Sequence, residues 1–255
     1  MTFSIENFEV FLLILVRITG FVFTAPFFSL TNVPIRIKSG LSIFLAAILF
    51  YSNSYNQPEY VGIIGYSILV VSEAMAGAIM GFFANVAYYI INFSGQLLDM
   101  QIGFSMASQF DPISHSESTV STSLYSYLII VIMIITNMHH IFVRALIESF
   151  QIIKIGEVYI NPGLYRLMMQ FVTDYFIIGF RIVLPVFAAI LMVDTLLAVL
   201  VKVAPQMNMF AIGMQIRIFV GLIVLLLIIS FIPSVADSIF REMVTMLKSS
   251  VSLLH

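Results

Sequence analysis

The chain has 255 residues, 61% of them hydrophobic and 9% charged, with a net charge of −2 and a mean hydropathy of +1.08. Soluble domains carry roughly 25% charged residues, so the composition excludes a soluble fold, which needs a polar skin, and predicts an integral membrane protein. The absence of Cys excludes disulfides, thiol catalysis and cysteine metal sites, and no basic stripe exists for nucleic acid.

The start, Met1-Thr2-Phe3-Ser4-Ile5-Glu6 with Glu9 following, is acidic. A cleaved signal peptide needs a basic n-region, so the first apolar segment, 8–30, is expected to be a retained helix. A turn at Thr31-Asn32-Val33-Pro34 follows, with Arg36 and Lys38. Segment two, 40–51, is short of the ~20 residues a spanning helix needs unless Ser39 and the turn extend it. The polar loop 52–60 has Glu59 and no base. Segment three, 61–98, would be about 57 Å long as one helix, against a hydrocarbon core of ~30 Å. It is expected to be a hairpin, a kinked pair or a helix projecting beyond the bilayer.

Segment four covers 120–143. A connector with Arg144, Lys154 and Arg166 is broken by Asn161-Pro162-Gly163. Segment five, 164–201, is again overlong and has Pro185 near its middle. A turn with Pro205, Gln206 and Asn208 leads to segment six, 210–232, which Pro233 is expected to end. In the tail, Ile239, Phe240, Met243, Val244 and Leu247 recur at helical spacing and predict an amphipathic helix. Bases cluster at 36–38, 144–166 and 241–248, while the loops 52–60 and 98–119 have none. The positive-inside rule then conflicts with a plain six-helix zigzag and predicts hairpins.

The stretch from Gly95-Gln96 through Gly103-Phe104 to Asp111-Pro112 is glycine-bearing, amide-rich and acidic, and no Lys or Arg follows before 122. Non-helical backbone at membrane depth is tolerated only in protein or along water. The stretch is therefore expected to be a loop forming a passage, a plug or a site. Its soft side chains, Met100 and Met106, suit loose closure.

Six charges lie deep in apolar sequence: Arg17, Glu73, Asp174, Arg181, Asp194 and Arg217. Each is costly in lipid. The functional reading is an ion or proton path. Three acids against three bases favour the structural reading, pairing across helices or with another subunit. Gly77 and Gly81, with Ala74 and Ala78, form a small-residue seam suited to helix packing. His139-His140 point about 100° apart on a helix, which fits an interfacial polar pair better than a metal site. No nucleophile elbow, phosphate loop, dinucleotide motif or zinc-protease helix is present. Neither an enzyme nor a cofactor is expected.

Three stretches together resemble the FliR family of the flagellar type III secretion export gate. They are Val33-Pro34-Ile35-Arg36-Ile37-Lys38-Ser39-Gly40-Leu41, Gly95-Gln96 with Gln101-Ile102-Gly103-Phe104-Ser105-Met106-Ala107 and Asp111-Pro112, and Leu184-Pro185 with Asp194 through Ala204-Pro205-Gln206-Met207-Asn208 to Gly213. The chain departs from the family pattern at Gln96, at Lys202 or Val203, and at Met214-Gln215. The resemblance implies an all-α membrane protein of long helical hairpins. A FliP-like portion, residues 1–163, would precede a FliQ-like hairpin and amphipathic tail, residues 164–255, folded at Ala204-Pro205-Gln206-Met207-Asn208. It implies partners of the FliP, FliQ and FlhB types, unfolded exported proteins as substrates, and a place in the bacterial inner membrane at the flagellar basal body. It also implies that loop 103–122 plugs the portal, with Gly103, Phe104, Met106, Phe110, Asp111 and Pro112 as plug residues. A virulence type III homologue is the near alternative. A secondary transporter using Glu73, Asp174 or Asp194 as a relay is more distant, since no internal repeat is evident.

Overall fold

The computed structural model describes residues 5–26, 28, 33–52, 55, 57–104, 120–206 and 208–255. Among them the chain is helical, without a strand: α1 Ile5–Thr24, α2 Ile35–Ser52, α3 Gly62–Ile102, α4 Val120–Ile135, α5 Met138–Ile152, α6 Gly163–Val203, α7 Met209–Ile228 and α8 Ile232–Ser252. Five helical runs among the described residues are long and apolar enough to cross a membrane, namely α1, α2, α3, α6 and the run from α7 through α8, or six spans if α4 and α5 count as one broken span. The chain divides into two compact units, one of 1–87, 136–172 and 240–255, the other of 88–135 and 173–239.

Several expected boundaries move, each for a local reason. Segment two does extend through Ser39, and α2 reaches 18 residues. Segment three is one 41-residue helix rather than a hairpin. Segment four breaks at Asn137, which adopts a left-handed conformation (φ 55°), a state Asn tolerates better than most residues. Pro233 does not end segment six. A single 3-10 turn, Ile229–Phe231, joins α7 to α8, and Pro233 sits in the first turn of α8, where no intrahelical N–H is needed. Pro185 lies inside α6.

The expected loop beginning at Gly95 is overturned over its first eight residues. Residues 95–102 are the last turns of α3. The apolar spacing Ile91, Leu98, Ile102, all buried, continues the helical period through them. The helix ends where Gly103 takes φ +98° and its N–H donates to the Asp99 carbonyl at 3.0 Å, a glycine stop of the usual left-handed kind.

At the start of α6, Asn161 Oδ1 accepts from the Gly163 N–H at 2.8 Å, and Pro162 stands immediately before the helix, where its missing N–H costs no intrahelical bond. Asn208 accepts likewise from the Ala211 N–H at the start of α7. In the tail, Ile239, Phe240, Met243, Met246, Leu247 and Val251 form one buried stripe on α8. The end of the tail docks beside the α5–α6 connector: the Tyr159 and Asn161 N–H groups donate to the Leu254 and Leu253 carbonyls.

Helices α1 and α3 cross at backbone contact. A Cβ on Gly77 would lie 2.0 Å from the Arg17 carbonyl oxygen. One on Gly81 would lie 2.8 Å from the Phe21 carbonyl oxygen, and one on Gly20 2.7 Å from that of Ala74. The small-residue seam therefore packs inside the chain. Overpacked side chains typically cost 1–3 kcal/mol. Gly77→Ala is expected to lower the thermal unfolding midpoint measured by circular dichroism in detergent. Gly40→Ala, on α2 with no atom near its missing Cβ, should not lower it. Equal midpoints for the two variants would refute the close crossing.

Candidate functional site

Arg17 stands in the middle of the buried stripe of α1, between Leu13, Ile14, Ile18 and Phe21. Glu73 holds the equivalent place on α3, one turn before Ala76 and Gly77. Both side chains are fully buried, and they pair as a fork. Arg17 Nε donates to Glu73 Oε2 at 2.5 Å and Nη2 to Oε1 at 3.0 Å. Nη1 donates to the Ile153 carbonyl at 2.9 Å, and Nη2 also reaches the Lys154 carbonyl at 3.4 Å. The Gly156 N–H, in a residue at φ +84°, donates to Glu73 Oε1 at 2.8 Å. The guanidinium lies 4.3 Å from the centre of the Phe150 ring, a favourable cation–π distance. Two helices and one connector thus meet at a single pair of charges whose polar atoms are satisfied.

Residues that meet this pair also line an open cleft of about 800 Å³, whose lining includes Tyr55, Pro58 and Glu59 together with Phe150, Lys154, Gly156 and Glu157. Described residues of the base-free loop, Tyr55 and 57–59, therefore line the same cleft as the basic connector. A count of bases alone would separate them, yet Lys154 faces Glu157 at 3.7 Å, in an exposed pair. Glu9 joins the same end through a hydrogen bond from Tyr60.

In the second unit, Arg217 on α7 pairs with Asp194 on α6, with Nε and Nη2 each 2.7 Å from Oδ1. The pair is roughly 40% exposed and ties the α6–α7 hairpin across its turn. Asp174 is half-buried and Arg181 exposed. Among the described residues neither has an ion-pair partner. Gly103 and Phe104 are half-buried. Met106, Phe110, Asp111 and Pro112 lie outside the described residues. His139 and His140 stack with ring centres 4.1 Å apart, in the first turn of α5.

One residue of this kind does not stand out in the sequence. Asp99, near the end of α3, is fully buried. Its carboxylate accepts from the Ser121 N–H at 2.9 Å and from the Ser121 hydroxyl. It caps the first turn of α4, where the free N–H groups and the helix dipole favour a negative charge. A Cβ on Gly95 would lie 2.6 Å from Thr122 Cα, so α3 and α4 also cross closely. Ser126 adds a hydrogen bond to Asn92 Oδ1 at 3.2 Å. The helical period continuing through Leu98 and Ile102 is the signal that places Asp99 on a packed face.

Fold and site together define an all-α membrane protein whose buried charges join helices to one another. The chain matches the family described as bacterial export proteins, family 1, over residues 8–243. It is 30% identical over 254 residues to the flagellar biosynthetic protein FliR of Bacillus subtilis (strain 168), covering 98% of this chain and 97% of that one. The FliR of Escherichia coli (strain K12) is 25% identical, with 93% and 91% covered. The FliR of Borreliella burgdorferi is 27% identical, with 94% and 89% covered. The chain belongs to the FliR family of bacterial export proteins.

Removing one member of a buried ion pair typically costs about 3–5 kcal/mol, because the other charge stays buried and alone. Arg17→Met should destabilise the chain by that order in detergent unfolding followed by circular dichroism. Arg17→Met with Glu73→Leu should destabilise it by clearly less than the two single changes added together, though Gly156 N–H and the Ile153 carbonyl would then lack their partners. Strict additivity of the two changes would mean that the pair is not coupled.

Proposed function

We propose that this chain is an export-gate subunit of the bacterial flagellar type III secretion apparatus and forms a section of the entry portal for unfolded flagellar proteins. Membership of the FliR family supports a type III export-related role and association with other components of the export apparatus. The finer reading places the chain in the inner membrane at the flagellar basal body, with FliP-, FliQ- and FlhB-type proteins and lipid around it and no nucleic acid. Residues 1–163 would act as the FliP-like portion and residues 164–255 as the FliQ-like hairpin. A structural, non-enzymatic role agrees with the way the buried charges are used.

The observation that carries this reading is the family match, which spans nearly the whole chain and whose named relatives are flagellar. Those names favour the flagellar over the virulence branch. The transporter reading is weakened at Glu73, whose two carboxylate oxygens are already occupied by Arg17 and Gly156. A tag placed beyond the exposed His255, clear of the docked Leu253 and Leu254, should co-purify other small export-apparatus membrane proteins from mild detergent. Recovery of the chain alone as a stable monomer would contradict the proposal.

The plug belongs to the same proposal. Gly103 ends α3 and Asp99 caps the start of α4, so both flanks of the segment are fixed. Asp111 disfavours lipid, and Pro112 disfavours a regular helix. Because Ser121 and Thr122 are buried residues of α4, the deletion stops short of them. Deleting 106–116 should leave the complex assembled but make cells expressing it leaky to small solutes or ions. An assembled, sealed deletion complex would place closure elsewhere.

A further inference from the structure

On α6, Asp174 and Arg181 are seven residues apart, about two turns or ~10.5 Å along the axis, and share one side of the helix. Ile177, Leu184 and Ala188 share that side and are exposed, Ile177 at 50% and Leu184 at 56%. Phe180 flanks them at 52%. Neither charge has an ion-pair or hydrogen-bond partner among the described residues. Such a face suits neither solvent. In lipid it would leave an acid and a base unpaired in hydrocarbon. In water it would leave a run of large apolar side chains exposed on a helix already apolar enough to span. A protein surface with an apolar body and two opposite charges satisfies both demands.

We infer that this face of α6 is a docking surface for a membrane helix of another protein, one that sets a basic group against Asp174 and an acidic group against Arg181, two turns apart. The inference rests on the reading above that the chain assembles with other membrane proteins. A second copy of this chain does not fit. Two copies with the same membrane orientation, related by an axis along the membrane normal, would bring Asp174 to Asp174 and Arg181 to Arg181 in register.

The test is a photo-reactive amino acid at Ile177 in the full chain, in cells making the whole export apparatus. The expected result is a cross-link to a different membrane protein. That product should be lost in Asp174→Arg and in Arg181→Asp and kept in Arg181→Lys, with the chain's membrane abundance unchanged in all three. Reversing the opposed charge in the captured partner should restore the product in Arg181→Asp. A cross-link only to lipid, none at all, or one to a second copy of this chain would overturn the inference. So would undiminished cross-linking in both charge reversals. Should the charge variants keep their product while the tagged wild type still co-purifies with other membrane proteins, this inference fails and the assembly reading stands. If the tagged wild type captures no membrane protein, the assembly reading itself fails.

Discussion

The first unit depends on one ion pair that cannot be left half-made. Arg17 and Glu73 are out of contact with solvent, and burying either charge alone would cost several kcal/mol. Their geometry meets that demand through a two-pronged guanidinium–carboxylate contact, two backbone carbonyls for the remaining arginine donors and one backbone N–H for the carboxylate. The consequence reaches beyond two helices. The connector after α5 has to present Ile153, Lys154 and Gly156 to the pair, and Gly156 adopts a positive φ to do so. Bulk on that glycine would also meet Pro58 of the facing loop, whose Cβ lies 2.8 Å from where the new carbon would be. Lys154 and Gly156, which bond the buried charges, thus also line the polar cleft.

Close backbone approach makes this chemistry possible. Arg17 reaches Glu73 because its own carbonyl lies against Gly77, with Gly20 and Gly81 clearing the crossing on either side. In hydrocarbon, helix association relies on packing and hydrogen bonds rather than on expulsion of water, so small residues and buried polar groups occur together. The second unit repeats the combination with different residues. Gly95 lets α3 approach Thr122, and Asp99 four residues on caps α4 through Ser121. In each unit a glycine brings two helices together and a nearby carboxylate binds donors on the element it meets.

Much of this is legible in the sequence because it depends on local rules. The overlong apolar segments, the break at Asn161-Pro162-Gly163 where α6 starts, the turn around Pro205 and Asn208, and the amphipathic tail follow from periodicity and capping chemistry. Arg17, Glu73, Asp194 and Arg217 stand out as charges in apolar surroundings. The pairings among them do not, since the partners are 56 and 23 residues apart and nothing local selects one acid over another. Asp99 is hidden by composition: Gly95, Gln96, Asp99 and Gln101 look like a loop, while the apolar period that keeps them helical is carried by only a few residues between them. The positive-inside rule misleads at the cleft because a loop without bases and a connector with them share one end of the unit, where Lys154 is answered by Glu157.

The most direct test of the buried pair's role is amide hydrogen exchange at Gly156. Its N–H lies in a connector between helices, where exchange would ordinarily be fast. Here it donates to a carboxylate that is itself fully buried, so its exchange requires that the connector come away from the Arg17–Glu73 pair. Peptide-level exchange of the full chain in detergent or in native membranes should show Gly156 protected like the core amides of α1 and α3. Exchange at the rate of an exposed connector would show that the buried pair does not hold the loop.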